Sequence, residues 1–460
     1  MPENRNKIEE YVAEVCEQIR WKRAKEGLAM ELRTHLLDQQ DACLAEGMTE
    51  EEAQAESVRQ MGDPVEVGTQ LDRVHRPKPQ WDLMLLVFGL VVIGLVLQGV
   101  LMMEVPYDDV GRVYAMRRSA AGAVLGGVLM LGIYWLDYTI LGRRAPWICG
   151  LWAGVAAISI PFSHRINGRL YNTYYLLLLA PVCIALLVYG MRGKGWKGLL
   201  ICWTGIGIFA IEGAVVVSFS MIMLIVFTGN LLILAAVWRG WLGVPKGAAT
   251  GCTLALPLAP ILWMLLNSAY LSDRLTIALH PELDPLGKGF MTIALRKLLR
   301  GARWMGRGDT APWKIPNAYD DHFFTWVIHL LGWAAGLALV AALVLLLAVA
   351  LRRCFRQKGM LGFLLSLAAV LTLGTEAASY VIYNLGFGFF GALSLPFLSY
   401  GGRYMVVNLA LAGLLMSVFR EEHLPQAQKR ETPRLRRKWI TLREDGAVVI
   451  LPPWVKKAAQ

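Results

Sequence analysis

Two adjacent carboxylates, Asp320 and Asp321, stand directly ahead of an apolar stretch that reads as a helix, and the segment 268–322 leading up to them is rich in cations. Those are Arg274, Lys288, Arg296, Lys297, Arg300, Arg303, Arg307 and Lys314. A carboxylate at a helix N-terminus is favoured in its ionised form by the unpaired N–H groups and the helix dipole. Such a group either caps the helix or accepts a proton from an incoming hydroxyl. Guanidinium groups suit bidentate contact with phosphate, so these residue types together point to an anionic ligand. Further along, the run Leu395-Pro396-Phe397-Leu398-Ser399-Tyr400-Gly401-Gly402 interrupts apolar sequence. Pro396 lacks a backbone donor and the two glycines permit positive φ, so the backbone must break there. Unpaired backbone groups at membrane depth persist only where protein or water covers them. The run therefore predicts a cavity wall or a re-entrant segment, placed at about 386–402.

The elements that must position these residues are membrane spans. Of the 460 residues, 56% are hydrophobic and 18% charged, far more apolar than an ordinary globular domain. Apolar runs of about 20 residues cross the hydrocarbon core as helices. Ten are predicted, at 81–103, 119–141, 146–162, 173–190, 197–212, 214–236, 248–267, 323–351, 359–384 and 404–420. The fold class is all-α, a polytopic membrane protein with a large extracytoplasmic loop, 268–322, between the seventh and eighth helices. The fifth and sixth spans could instead form one helix kinked at Glu212-Gly213, but the basic residues favour two. With the N-terminus inside, Arg143-Arg144, Arg192 with Lys194 and Lys197, Arg239 with Lys246, Arg352-Arg353, and a basic tail at 421–460 all fall on the cytoplasmic side. The segment 1–76 reads as a soluble helical prefix, with Thr49 and Glu52 as a capping box and Asp63-Pro64-Glu66 as a second helix start. Residues 77–80 are a linker, and the first span is read as an uncleaved anchor.

The formal net charge of +11 is ascribed mainly to topology and to anionic lipid headgroups, and nucleic acid is a poor partner for such a chain. Seven cysteines show neither metal spacing nor a disulfide framework. Within the spans, Glu212 and Glu376 are costly in lipid and are expected to face a polar cavity or a partner helix.

Several motifs resemble one family. Asn384-Leu385-Gly386 followed by the 395–402 run is similar to the C-terminal signature of the FtsW/RodA/SpoVE proteins, the SEDS peptidoglycan glycosyltransferases. In the outer loop, Asp273-Arg274, Pro281 and Asp284-Pro285-Leu286-Gly287-Lys288-Gly289-Phe290 resemble the family's Arg, Pro and Asp-Pro-x-Gly-x-Gly-aromatic pattern. Gly306-Arg307-Gly308 resembles its Gly-Lys-Gly. The segment running from Pro316 and Asn317 through Asp320-Asp321-His322 to Phe323-Phe324, with Gly332 beyond, resembles its Leu-Pro-Glu-Ala-His-Thr-Asp-Phe-Ile-Phe motif without gaps. The prefix resembles the small helical domain ahead of some bacterial permeases.

The resemblance implies a bacterial cytoplasmic membrane enzyme, N- and C-termini cytoplasmic, that polymerises lipid II on the outer face, paired with a class B penicillin-binding transpeptidase. It places the catalytic aspartate on Asp321, with Asp320 as the adjacent rival. Joining lipid-linked disaccharides requires a base for the attacking hydroxyl and cations for the departing diphosphate, and an inverting displacement needs only one carboxylate. Arg274, Lys288, Arg303 and Arg307 are the candidates for the diphosphate; Ser399, Tyr400, Gly401, Gly402 and Arg403 are expected to line the site. No cofactor or metal ligand set is identifiable, and a divalent cation remains open. The chain departs from the family at Tyr319, Asp320, His322, His329-Leu330 and Arg403-Tyr404. Two other readings remain, a lipid-linked-precursor flippase and a non-catalytic scaffold regulated through the prefix and its cytoplasmic partner.

Overall fold

Two helices of the N-terminal segment begin where the capping signals stand. The computed structural model describes residues 7–77, 79–104, 109–166, 169–267, 269–309, 321–389, 391–421, 440–442 and 448–450. Four helices form the prefix: α1 Lys7–Gln18, α2 Lys22–Ala45, α3 Glu50–Met61 and α4 Pro64–His75. The capping box opens α3: Glu52 N donates to Thr49 Oγ1 (3.4 Å) and Thr49 N to the Glu52 carboxylate (3.1 Å). Asp63 accepts from Glu66 N (3.0 Å) with Pro64 in the first turn, starting α4. The apolar stripe of Ile8, Val12 and Val15 is buried against Leu32 and Leu36 of α2. Gly68 lets α4 lie on α1, since a Cβ there would come within 2.7 Å of the Val15 carbonyl. The chain divides into two compact units, Met1–Pro77 with His423–Gln460, and Lys78–Glu422.

The second unit runs α5 Trp81–Glu104, α6 Asp109–Trp135, α7 Thr139–Arg143, α8 Ala145–Ser159, α9 Tyr171–Leu177, α10 Ala180–Gly190, α11 Gly195–Val215, α12 Phe219–Trp238 and α13 Lys246–Asn267. It continues with α14 Ala269–Leu279, α15 Phe290–Arg300, α16 Phe323–Leu331, α17 Trp333–Arg356, α18 Met360–Asn384 and α19 Gly402–Arg420. Among the described residues, seven helices (α5, α6, α11, α12, α17, α18, α19) are long and apolar enough to cross a membrane, and α9 with α10, bent by 42°, makes an eighth. The protein is thus an all-α polytopic membrane protein. Burial decides which helices are central: 78% of the apolar window of α18 and 72% of that of α19 are buried, against 22% in α6 and 28% in α17. The α18–α19 pair is the core, and α6 and α17 present most of their surface to lipid. The α6–α19 crossing is close because it is built on glycine: a Cβ on Gly122 would lie 2.3 Å from Gly402 Cα.

Three span limits differ from the sequence expectation. The second span stops at Trp135 rather than 141, because the Asp137 carboxylate accepts from Thr139 N (2.8 Å) and starts the short α7. The fourth bends before Pro181, whose missing N–H interrupts the helical ladder. The eighth is not one helix over 323–351. Gly332, at φ +99°, separates α16 from α17, and a Cβ there would meet the Trp304 carbonyl at 2.5 Å. The fifth and sixth spans are separate helices, parted at Val217 (φ +60°), with the Ser218 hydroxyl accepting from Met221 N (3.4 Å).

Candidate active site

The break around Pro396 is a buried irregular segment. Residues 391–399 are all buried between α18 and α19. Their backbone needs partners, and side chains of the surrounding helices supply them. Ser220 of α12 and Ser379 of α18 donate to the Gly391 carbonyl (2.7 and 3.2 Å), and Gln98 of α5 donates to that of Leu398 (2.8 Å). Gly94, one turn before Gln98, makes room: a Cβ there would come within 2.8 Å of Leu398 Cα. Phe397 sits at φ +67°, a strained conformation for a bulky residue, with its ring fully buried. Ser394 donates to Glu376 and accepts from Asn408 Nδ2 (3.2 Å), so Glu376 anchors this segment from α18. The Glu376 oxygen Oε1 has no hydrogen-bond partner among the described residues, and neither has Glu212 Oε2 on α11.

Asp321 lies just ahead of α16, half-buried. The N-cap position falls on His322, without a side-chain cap bond, so the capping role weighed for Asp321 is not the one it occupies. Its backbone is fixed from α18. Asn384 donates through Nδ2 to the Asp321 carbonyl (3.0 Å) and accepts at Oδ1 from Thr325 N (3.2 Å) and Thr325 Oγ1 (3.0 Å). Tyr380 Oη accepts from Phe323 N (3.1 Å), and His322 stacks on Tyr383 with centroids 5.6 Å apart. Burial pushes the His322 imidazole down to about 4, leaving it neutral. Asp320 and the rest of the 310–320 motif, with Lys314, lie outside the described residues.

At the far end of α16, the segment 301–309 is laced to the α16–α17 junction. Gly308 N donates to the His329 carbonyl (2.8 Å), Gly306 N to that of Leu331 (3.1 Å), and Trp333 N and Ala334 N to those of Arg303 (3.0 Å) and Trp304 (3.1 Å). Gly-Arg-Gly at 306–308 thus satisfies the last carbonyls of α16, and the exchanged bonds cap the first turn of α17. Arg303 and Arg307 are exposed on this segment, and Arg303 pairs with Asp309 at 3.3 Å. Nine residues of helix set this cation-bearing segment about 12 Å from Asp321. His329 is buried and donates from Nδ1 to the Leu298 carbonyl (3.1 Å), tying α15 to α16.

The other expected site residues divide between shaping and surface. The Asp284 carboxylate accepts from Gly287 N (3.1 Å) and Lys288 N (2.8 Å), and a Cβ on Gly289 would come within 2.1 Å of the Pro281 carbonyl. Asp-Pro-x-Gly-x-Gly is therefore a tight turn that leaves the Lys288 side chain exposed. Arg274 Nε donates to the Phe389 carbonyl (3.0 Å), holding the turn after α18. Ser399 Oγ is turned back on Leu395, accepting from its N (3.0 Å) and donating to its O (3.2 Å). Gly401, at φ +134°, opens α19; Gly402 is buried at the α6 crossing, and Tyr400 is half-buried. Arg403 is exposed, donates to Asn172 Oδ1 (2.8 Å) and lies over Tyr175 of α9.

Sequence reasoning named Arg296 only as a cation and Asn384 only as part of a motif, and missed the roles these residues play in holding the arrangement. Arg296 of α15 donates to the carbonyls of Gly386 (3.0 Å) and Ala278 (3.2 Å), and Gly386, at φ +86°, packs under it. Asn384, Tyr380 and Thr325 join α18 to α16. A polar Asn two residues before a Gly at the end of an apolar helix was the available signal.

The fold and site define a polytopic membrane protein in which a buried irregular segment and a broken helix frame a carboxylate at one end of α16 and exposed cations at the other. Residues 176–424, more than half of the chain, match the model of the FtsW/RodA/SpoVE family, described as cell cycle proteins; the chain belongs to that family. The probable peptidoglycan glycosyltransferase FtsW of Thioalkalivibrio sp. (strain K90mix) is 30% identical over 36% of this chain and 44% of its own. The peptidoglycan glycosyltransferase MrdB of Escherichia coli (strain K12) is 30% identical over 36% and 46%. The chain spans less than half the length of these two relatives. The FtsW of Nitrosococcus halophilus aligns over 76% of this chain and 95% of its own at 27% identity. Among solved structures, a chain of a peptidoglycan synthase complex that coordinates polymerization and crosslinking superposes with a TM-score of 0.61 at 19% identity, over 75% of this chain and 98% of that one. The Rod shape determining protein RodA of Thermus thermophilus does so at 0.53 and 17%, over 75% and 97%. At these identities the likeness is one of fold.

Proposed function

We propose that this protein is a glycosyltransferase that polymerises lipid II into glycan strands at the outer face of the bacterial cytoplasmic membrane. Asp321 accepts the proton of the attacking sugar hydroxyl while its oxygen bonds the anomeric carbon and the diphosphate departs with the bonding electrons. Arg303, Arg307 and Lys288 stabilise charge on that diphosphate, and Arg274 holds the turn beside them. The observation that carries this reading is the backbone of Asp321, fixed by Asn384 at the head of a buried short helix whose other end carries the Arg303–Arg307 segment. A base must be held within a fraction of an ångström of its productive position, and a doubly anchored helix terminus does this better than a free loop. The names of the curated relatives agree with the activity.

Counting α8 and α13 as crossings brings the spans to ten, with the outer loop at 268–322 between the seventh and eighth. An even number puts both ends of the membrane unit on one side, and the basic connections make that side cytoplasmic. The prefix 1–76 and the tail 421–460 are then cytoplasmic. A class B penicillin-binding transpeptidase is the partner this reading assigns, since the superposed chain is part of a synthase that also crosslinks. The test is polymerisation of purified lipid II by wild type and Asp321→Asn. The variant should fold and yield no glycan strands; full polymerisation by it refutes the assignment.

A further inference from the structure

We propose that the basic segment 434–439 of the C-terminal tail docks into a groove on the prefix, clasping the two ends of the chain together. The groove, about 670 Å³, lies between α2 and α4. Its floor is apolar, with Leu32, Met61 and Leu71, and its rim carries Glu31, Asp38 and His75. Glu31 and Asp38 are exposed and one face of α2 is left uncovered by the other three helices. Such a concave, apolar-floored, acid-rimmed surface fits a segment that alternates apolar side chains with cations.

The chain carries such a segment. Arg434-Leu435-Arg436-Arg437-Lys438-Trp439 offers four cations with Leu435 and Trp439 between and beyond them. Charge complementarity extends past the groove. Residues 1–76 contain seventeen acidic against ten basic residues, and residues 423–460 contain nine basic against three acidic. Opposite net charges on two segments of one chain steer them together and favour this occupant over an acidic or neutral one.

The two segments also leave the membrane unit at one place. Gln80, ahead of α5, donates through Nε2 to the Phe419 carbonyl in the last turn of α19 (3.4 Å), and Arg353 of α17 donates to Gln80 and Asp82. The linker from His75 to Trp81 extends no more than about 20 Å, and the residues from 421 to 434 reach up to about 45 Å. The tail therefore reaches the groove without strain, and its tethering gives it a high effective concentration over any free peptide. The described tail strands, Ile440–Leu442 and Val448–Ile450, belong to the same compact unit as the prefix.

The test uses the full chain in lipid nanodiscs, with a photo-crosslinking amino acid replacing His35 on the groove wall. Crosslinked peptide pairs should join His35 to residues 430–440 of the same chain, identified by mixing isotope-labelled and unlabelled protein. Replacing Arg434, Arg436, Arg437 and Lys438 together with Glu should lower that yield at least tenfold, and Glu31→Lys with Asp38→Lys should do the same. Combining both sets of reversals should restore it, which a simple loss of folding cannot do. Crosslinks that join two chains, that map away from the tail, or that keep full yield after either reversal overturn the proposal.

Discussion

Asn384→Ala should separate positioning from chemistry at the proposed base. Asn384 is fully buried and serves α16 twice, donating to the Asp321 carbonyl (3.0 Å) and accepting from Thr325 N (3.2 Å). Removing the amide leaves two backbone groups without these partners. Each orphaned buried group costs about 1–3 kcal/mol, and the half-buried Asp321 carbonyl regains part of that from water, so the loss in stability should be about 3 kcal/mol. The effect on rate comes from a different term. Freed from Asn384, the residue ahead of α16 shifts, and misplacement of a catalytic group by about 1 Å costs on the order of 100-fold. Polymerisation of lipid II at saturating substrate, read as glycan strands on a gel beside thermal unfolding of the same sample, should show turnover falling about 100-fold with KM nearly unchanged. Asn384→Asp, which keeps the acceptor for Thr325 and loses the donor to Asp321, should fall between. Turnover that declines only in proportion to the fraction unfolded would refute the reasoning.

Three further perturbations follow from particular contacts. His322 is kept neutral by burial, with its value pushed down to about 4 from the usual 6.5. Acid then favours the unfolded chain, so stability is full above about pH 6.5 and declines toward pH 4 by about 3 kcal/mol in all. His322→Phe should flatten that decline in melting temperature between pH 7 and 4.5; an undiminished decline would count against it. Gly122→Ala forces apart the α6–α19 crossing, where its Cβ would meet Gly402, and should cost roughly 1–3 kcal/mol. Gly127→Ala on the same helix meets nothing within 4 Å and should stay within a few tenths, so equal melting temperatures would dismiss the close-contact argument. Gly332→Ala places a Cβ against the Trp304 carbonyl at φ +99° and should disorder the α16–α17 junction, seen as faster amide exchange at Trp333 and Ala334.

Apolar runs and capping signals made the broad architecture legible, since a run of some 20 apolar residues has few alternatives to spanning and Thr49 with Glu52 has few to opening a helix. Places where a helix stops inside apolar sequence were harder. Nothing in the composition of 323–351 separates it from one continuous span, because the break at Gly332 is held by hydrogen bonds that Trp333 N and Ala334 N donate to the carbonyls of Arg303 and Trp304, some thirty residues upstream. The end of the second span is likewise marked by one carboxylate, Asp137, whose turn bond from Thr139 N looks in sequence like an interfacial charge. At the site, Asp321 and the cations were visible as residue types. The pairing of Asn384 with Asp321 and Thr325, across a separation of about sixty residues, is tertiary and leaves no local pattern.

The glycine- and proline-bearing motifs that carry the family likeness turn out to specify backbone shape rather than contact. Asp284 with Gly287 and Gly289 closes a turn, Gly306 and Gly308 stitch one segment to the end of α16, and Ser399 folds back on Leu395 within the buried segment before α19. At Gly289 and Gly308 backbone fills the space a Cβ would need, and Gly306 is held at φ +78°, where a side chain is strained. The departures fall elsewhere. His322 fills a buried stack against Tyr383, His329 bonds α15 to α16, and Arg403 reaches Asn172 of α9 from the start of α19. His322 and Arg403 alter what surrounds the framework, while His329 adds a side-chain bond to it and keeps the backbone bond from Gly308 N. A chain changed in this way keeps the position of its base while altering the walls around it, so differences from its relatives should appear in substrate affinity and in acid sensitivity before they appear in the placement of Asp321.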